Sequence, residues 1–136
     1  MGQQGNMDIE GVAPANILSH LAQRLKTLAD GLDDVLMRHG PAAVSVETVF
    51  FAKNSQSALK LGQARGVAIA AGVAHGLPVH EYAARKVKLG VVGTGRATKT
   101  QVQHMVGLLL GISGPIQNDA ADALAIALCH HHTADT

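Results

Sequence analysis

The chain has 136 residues, 47% of them apolar, and only three aromatic side chains, Phe50, Phe51 and Tyr82. That length makes one domain with an aliphatic core. The single Cys129 excludes an internal disulfide and fits a reducing compartment. The longest apolar run, Val67 to Ala74, is too short to span a bilayer.

The formal net charge of +1 hides an uneven spread. Phe51 to Gln103 carries eight basic residues and one acid, a net +7, and the remainder of the chain is −6. A basic middle between acidic ends is a nucleic-acid footprint, unless these charges only solvate helix faces. No basic-then-apolar signal opens the sequence, so a cytoplasmic, membrane-free protein is expected.

Residues 1–15 are polar and without period, and are expected to form an irregular N-terminal remnant. Asn16 is placed to cap a helix whose apolar face is Ile17, Leu21, Leu25, Leu28, Leu32, Val35 and Leu36. Gly40 and Pro41 end it. Val44, Val46, Thr48 and Phe50 then alternate with Ser45, Glu47 and Val49, the period of a strand. Glu47 falls in the middle of that strand, where a carboxylate needs a partner; a solvated strand end is the competing reading.

Asn54 or Ser55 can cap the next helix, expected to run to about His75. Its small residues Ala58, Gly62, Gly66, Ala70 and Ala74 recur every four positions. Such a row lets a second element approach closely, either the protein's own sheet or a second copy of the helix across a two-fold axis. The copy is the favoured reading. A short strand is expected at Val79 to Ala83.

The segment ARKVKLGVVGTGRATKT fails as a phosphate loop, because Arg96 and Ala97 stand where Lys and Ser or Thr are needed. It fails as a dinucleotide fingerprint because Thr98 stands where a glycine is needed. It reads as a glycine-rich turn into a helix capped by Thr98, with Val102, Met105, Val106, Leu109 and Leu110 buried. Arg96 and Lys99 at that helix start oppose its dipole, and an external phosphate would relieve the conflict.

Asn118 can cap the last helix, with Ala121, Leu124, Ala125 and Leu128 inward and Asp119 and Asp122 on a neighbouring face. Cys129 to His132 reads as a fraying end, since consecutive histidines cannot all face one ion from a helix. One strand carboxylate and two on a late helix would repel unless cations neutralise them. Hard oxygen donors suit Mg²⁺, with Mn²⁺ possible, and such ions activate water for phosphodiester cleavage.

The blocks VETVFFAKNSQSALKLGQARGVAIA, EYAARKVKLGVVGTG, KTQVQHMV and DAADALAIA resemble the bacterial crossover-junction endodeoxyribonucleases of RuvC type, the Holliday-junction resolvases. The resemblance runs from about Asn16 to His130. It implies an α/β, ribonuclease-H-like mixed sheet flanked by helices, a nuclease domain over 16–132 and a tail over 133–136. It implies a homodimer that nicks four-way junction DNA in pairs with Mg²⁺ during recombination and repair, alongside a junction-migrating helicase of RuvA and RuvB type. By position, Glu47, Asp119 and Asp122 resemble the catalytic metal ligands. Lys88 and Lys99 resemble the DNA-contacting lysines, and Phe50 the aromatic that stacks on a base. Arg96 joins them as a DNA-binding residue.

The family opens with a strand carrying a fourth carboxylate in a pattern like G-I-D-P-G-S. Asp8, in MDIEGVA, lacks that pattern. The expectation is a sheet without its first strand or strands. A non-catalytic module for junction-DNA binding and dimerisation is therefore the alternative function.

Overall fold

Leucines at helical spacing along one stripe form α1 (Ala15–His39). The structure, a computed structural model, describes residues 15–48 and 55–134. The helix already includes Asn16, and the side chain expected to cap it lies outside the described detail. Gly40 closes the helix with φ +53°, its N–H donating to the Leu36 carbonyl at 3.0 Å. Leu21, Leu25, Leu32 and Leu36 are half-buried against the next helix, but Ile17, Leu28 and Val35 remain exposed. On the wet side, Lys26 donates to Asp30 at 2.7 Å, and that hydrogen bond raises the lysine's pKa.

Strand β1 (Val44–Glu47) leads, through helix α2 (Ser55–Ala74), to strand β2 (Val79–Tyr82). The two strands pair in parallel, with Val44 opposite Val79 and Glu47 opposite Tyr82. Glu47 thus ends the strand, not its middle, and is exposed. The period-two pattern sorts the faces as the sequence implies. Val44 and Val79 meet α2 at Gly72, where a Cβ would fall 2.7 Å from Val44 Cγ2. This glycine, outside the row of small residues spaced by four, is the one the sheet requires. Within the row, Gly62 and Gly66 face open space. His75, just past α2, donates to Asp33 of α1 at 2.5 Å and ties the two helices together.

Helices α3 (Ala84–Val92) and α4 (Lys99–Leu110) pack against each other and against α5 (Asn118–Ala134), which covers the other face of the sheet. Helix α3 was not legible as a separate element. Val87 and Val91, one turn apart, are its buried stripe, and Gly93 at φ +100° is its left-handed cap. Thr98 caps α4 as expected, in a reciprocal box with Gln101: its Oγ1 accepts from Gln101 N at 3.1 Å, and its N–H donates to Gln101 Oε1 at 2.8 Å. Val106 is fully buried, but Leu109 and Leu110 lie on the exposed end of α4. The cap of α5 is Gln117, whose Oε1 accepts from Ala120 N at 2.8 Å; Asn118 Oδ1 instead accepts from Gln103 Nε2.

The core gathers Tyr82, Val87, Val91, Val106, Ala125 and Cys129. Cys129 to His132 do not fray but lie within α5. Cys129 is fully buried, and α5 runs past the 132 boundary to Ala134. His130 is hydrogen-bonded through Nδ1 to the Tyr82 hydroxyl at 2.5 Å and stacks on His80, while His132 Nδ1 meets the Gly90 carbonyl at 2.6 Å. Among the described residues, no helix is long and apolar enough to cross a membrane.

Two glycines in helices carry opposite expectations. A Cβ on Gly90 would sit 3.0 Å from Cys129 Sγ, so α3 meets α5 through a missing side chain. Gly90→Val should lower stability by about 1–3 kcal/mol by overpacking. Gly31, exposed in α1 with nothing within 4 Å of a new Cβ, should accept Ala with a gain of about 0.5–1 kcal/mol. Urea midpoints of the two variants check both signs.

Candidate catalytic cleft

The parallel pairing leaves the carboxyl ends of β1 and β2 at one edge, the place where open α/β sheets receive ligands. Glu47 stands there, on the sheet face that carries Tyr82 toward α5. A cleft of about 270 Å³ opens at this edge. Four elements each bring it one charged residue: β1 gives Glu47, α3 gives Lys88, α4 gives Lys99 and α5 gives Asp122. Val87, Val102, Ala125 and Ile126 form its apolar wall.

Local sequence explains each placement. The Thr98 capping box fixes where α4 begins, so Lys99 is its first residue. Gly93 ends α3 and turns the chain back toward α4, and Gly95 seats that turn on Arg85, where a Cβ would fall 2.7 Å from Cγ. Lys88 lies between the buried Val87 and Val91 and is itself half-buried. Ala121 and Ala125 bury their face of α5, so Asp122, one position round from Ala121, reaches the cleft.

Lys99 Nζ lies 3.7 Å from Asp122 Oδ2, with both side chains more than half exposed. The anion beside this helix start is thus one of the chain's own carboxylates. An exposed pair of this kind contributes little to stability, so it can open without strain on the fold.

Not every expected site residue lines the cleft. Asp119 sits one turn before Asp122, exposed, and its Oδ2 accepts from Gln117 Nε2 at 3.3 Å. Arg96 is exposed in the turn, its N–H donating to Thr94 Oγ1 at 3.3 Å. Phe50 and Asp8 lie outside the described residues. Among the described residues, no three His, Cys, Asp or Glu side chains group closely enough to hold a metal ion. The donors that do converge, two carboxylates on one cleft, fit a small hard cation. Mg²⁺ takes one or two carboxylates and completes its shell with water and substrate phosphates.

Two features around the cleft escaped sequence reasoning. Arg65 of α2 donates through Nε to the Glu47 carbonyl at 3.1 Å and forms an ion pair with Glu81. The cluster of His80, Tyr82 and His130 fastens α5 to β2. Both join residues far apart in the chain and carry no local signal; only the parallel register brings them together.

The family model for crossover junction endodeoxyribonuclease RuvC matches residues 7–130. The crossover junction endodeoxyribonuclease RuvC of Xylella fastidiosa strain Temecula1 is 58% identical over 118 residues, which are 87% of this chain and 68% of that protein. That of Methylococcus capsulatus is 58% identical over 114 residues, covering 84% and 69%. Among solved structures, Thermus thermophilus RuvC superposes with a TM-score of 0.78 at 36% identity, covering 85% of this chain and 70% of that one. The same protein in complex with Holliday junction substrate gives 0.78 at 38% identity, covering 82% and 68%. The fold is therefore the ribonuclease-H-like α/β fold. By family model and by identity alike, the chain belongs to the crossover junction endodeoxyribonuclease RuvC family.

Proposed function

We propose that this chain is the nuclease domain of a structure-specific endonuclease that resolves four-way DNA junctions by paired nicking during recombination and repair. The observation that carries the reading is the convergence of Glu47, Asp122, Lys88 and Lys99, from four elements, on one cleft at the carboxyl edge of the sheet. Family membership gives the reaction class, phosphodiester hydrolysis that depends on metal. The relative solved with a Holliday junction supports the four-way junction as substrate.

Glu47 and Asp122 would hold the divalent cation, Mg²⁺ or Mn²⁺, with Asp119 the third carboxylate one turn away on the same helix. When bound, such a cation supplies Lewis acidity at the scissile phosphate and a water of lowered pKa. The remaining work belongs to the chain. Lys88 and Lys99 attract and hold the phosphates flanking the cut. Release of Asp122 frees Lys99 for that role. The apolar wall of Val87, Val102, Ala125 and Ile126 narrows the space left for bulk water. Arg96 extends the basic surface toward the DNA backbone, and Phe50 is proposed to stack on a base near the junction.

The domain spans residues 16–132 together with the last turn of α5. Two copies are proposed to pair through α2, whose Gly62, Gly66, Ala70 and Ala74 are exposed and leave room for a second helix. A junction-migrating helicase of RuvA and RuvB type is the expected partner, in the bacterial cytoplasm.

Three outcomes test the reading. Lys88→Ala and Lys99→Ala should each weaken binding to a synthetic four-way junction and lower the slope of log affinity against log salt by about one; unchanged slopes would remove both lysines from the phosphate contacts. Glu47→Gln should abolish Mg²⁺-dependent nicking while junction binding, measured by gel shift, persists. Gly66→Leu should turn a dimer into a monomer by light scattering with its circular dichroism intact.

A further inference from the structure

The backbone of β1 uses its two edges differently. The N–H groups of Val44 and Thr48 donate to the Pro78 and Tyr82 carbonyls at 2.9 Å each. In a parallel ladder alternate residues turn their backbone groups the other way. The Glu47 carbonyl therefore points to the outer edge of β1, which no strand among the described residues pairs. An unpaired carbonyl at that place would leave the strand end loosely held.

Arg65 fills the position. It reaches the sheet from α2, on the face opposite α5, and its Nε–H donates to the Glu47 carbonyl at 3.1 Å. The far end of the same guanidinium pairs with Glu81 on β2. Glu81 stands opposite Val46 in the register, next to the Glu47–Tyr82 pair. The Arg65 side chain is only 26% exposed, so its charge has few alternatives to these two acceptors. One rigid fork thus bridges both strands behind the cleft, at the level where Glu47 leaves the sheet. Lysine cannot copy this, because a single ammonium lacks the fixed planar spread of donors.

We propose that Arg65 is a positioning residue for Glu47. By fixing the backbone of Glu47 from behind, with Glu81 holding the guanidinium in line, it aims the carboxylate into the cleft. This rests on Glu47 serving as a cation ligand. Outer partners of a ligand residue commonly govern metal affinity by about 10- to 100-fold, and a main-chain support is expected near the lower end of that range.

The test uses the full chain, labelled for amide NMR, with Mn²⁺ alone as the probe. Arg65→Lys, Arg65→Gln and Glu81→Gln are compared with the wild type and with Glu47→Gln. The Mn²⁺ concentration for half-broadening of the Thr48 amide should rise about tenfold in both Arg65 variants and less in Glu81→Gln. Hydrogen exchange at the Thr48 amide should quicken about tenfold in the Arg65 variants, while the Val44 amide at the other end of β1 keeps its rate. A purely global role in stability would speed both amides together and would overturn the proposal. So would wild-type Mn²⁺ broadening in Arg65→Lys and Arg65→Gln when Glu47→Gln has lost it. Equal broadening in Glu47→Gln and the wild type would instead refute Glu47 as a ligand, and the positioning role with it. Should Arg65→Gln fail to fold, Arg65→Lys and Glu81→Gln carry the comparison.

Discussion

The smallness of one helix face controls the architecture. Ala121, Ala125 and Cys129, four apart on α5, are all essentially excluded from solvent. They let the sheet, α3 and α4 close around a single helix without leaving room for large side chains. Gly90 extends the same logic from the other side, bringing α3 within reach of Cys129, whose Sγ donates to the Lys86 carbonyl at 3.5 Å. Interiors packed this tightly behave as solids, so the relative positions of the four elements are fixed to within small shifts. The cleft inherits that precision, since two of its charged residues directly follow a buried neighbour and Lys99 lies two positions from one. Lys88 follows Val87 and Asp122 follows Ala121. Lys99 follows the Thr98 cap, itself next to the buried Ala97.

Much of this was legible in the sequence because it is written locally. The leucine stripe of α1, the alternation of β1, the Thr98 cap and the alanine face of α5 are short-range patterns whose physics needs no partner. Two of the residues of the basic middle, Lys88 and Lys99, line the cleft. Resemblance then supplied the family and hence the chemistry. Helix α3 was missed because its nine residues include two adjacent valines and an internal glycine, and Ala83 at its N-cap makes no side-chain hydrogen bond. Its glycine belongs to tertiary packing against Cys129, which no window around Gly90 reveals. The histidines at the end of α5 were misread for the same reason. Judged as a run they suggest an untidy terminus, whereas Tyr82, His80 and Gly90 give His130 and His132 distinct partners. The small-residue row of α2 does not carry the sheet contact: Gly72, outside the row, is the residue on which the sheet sits, while Gly62 and Gly66 face open space.

Glu47 illustrates how sequence and structure differ about one residue. Read along the chain, it is a carboxylate embedded in a β-branched run and in need of a partner. In the fold it stands at the strand's end, where water supplies solvation and its carbonyl, not its carboxylate, makes the long-range bond to Arg65. The carboxylate is thereby left available at the edge where parallel strands meet ligands, while the backbone behind it is tied down.

The pairing of Lys99 with Asp122 has a thermodynamic consequence. In the free protein these two charges serve as each other's counter-ion. A cation taken up by Asp122 leaves the ammonium without its partner, and an anion drawn to Lys99 does the same for the carboxylate. Each visitor therefore prepares the place of the other. Reciprocity of linkage requires the assistance to be equal in both directions, whichever arrives first. With the proposed roles of Asp122 and Lys99, a weak surface ion pair would become a coupling device: it would discourage either charge from binding alone and favour their arrival together.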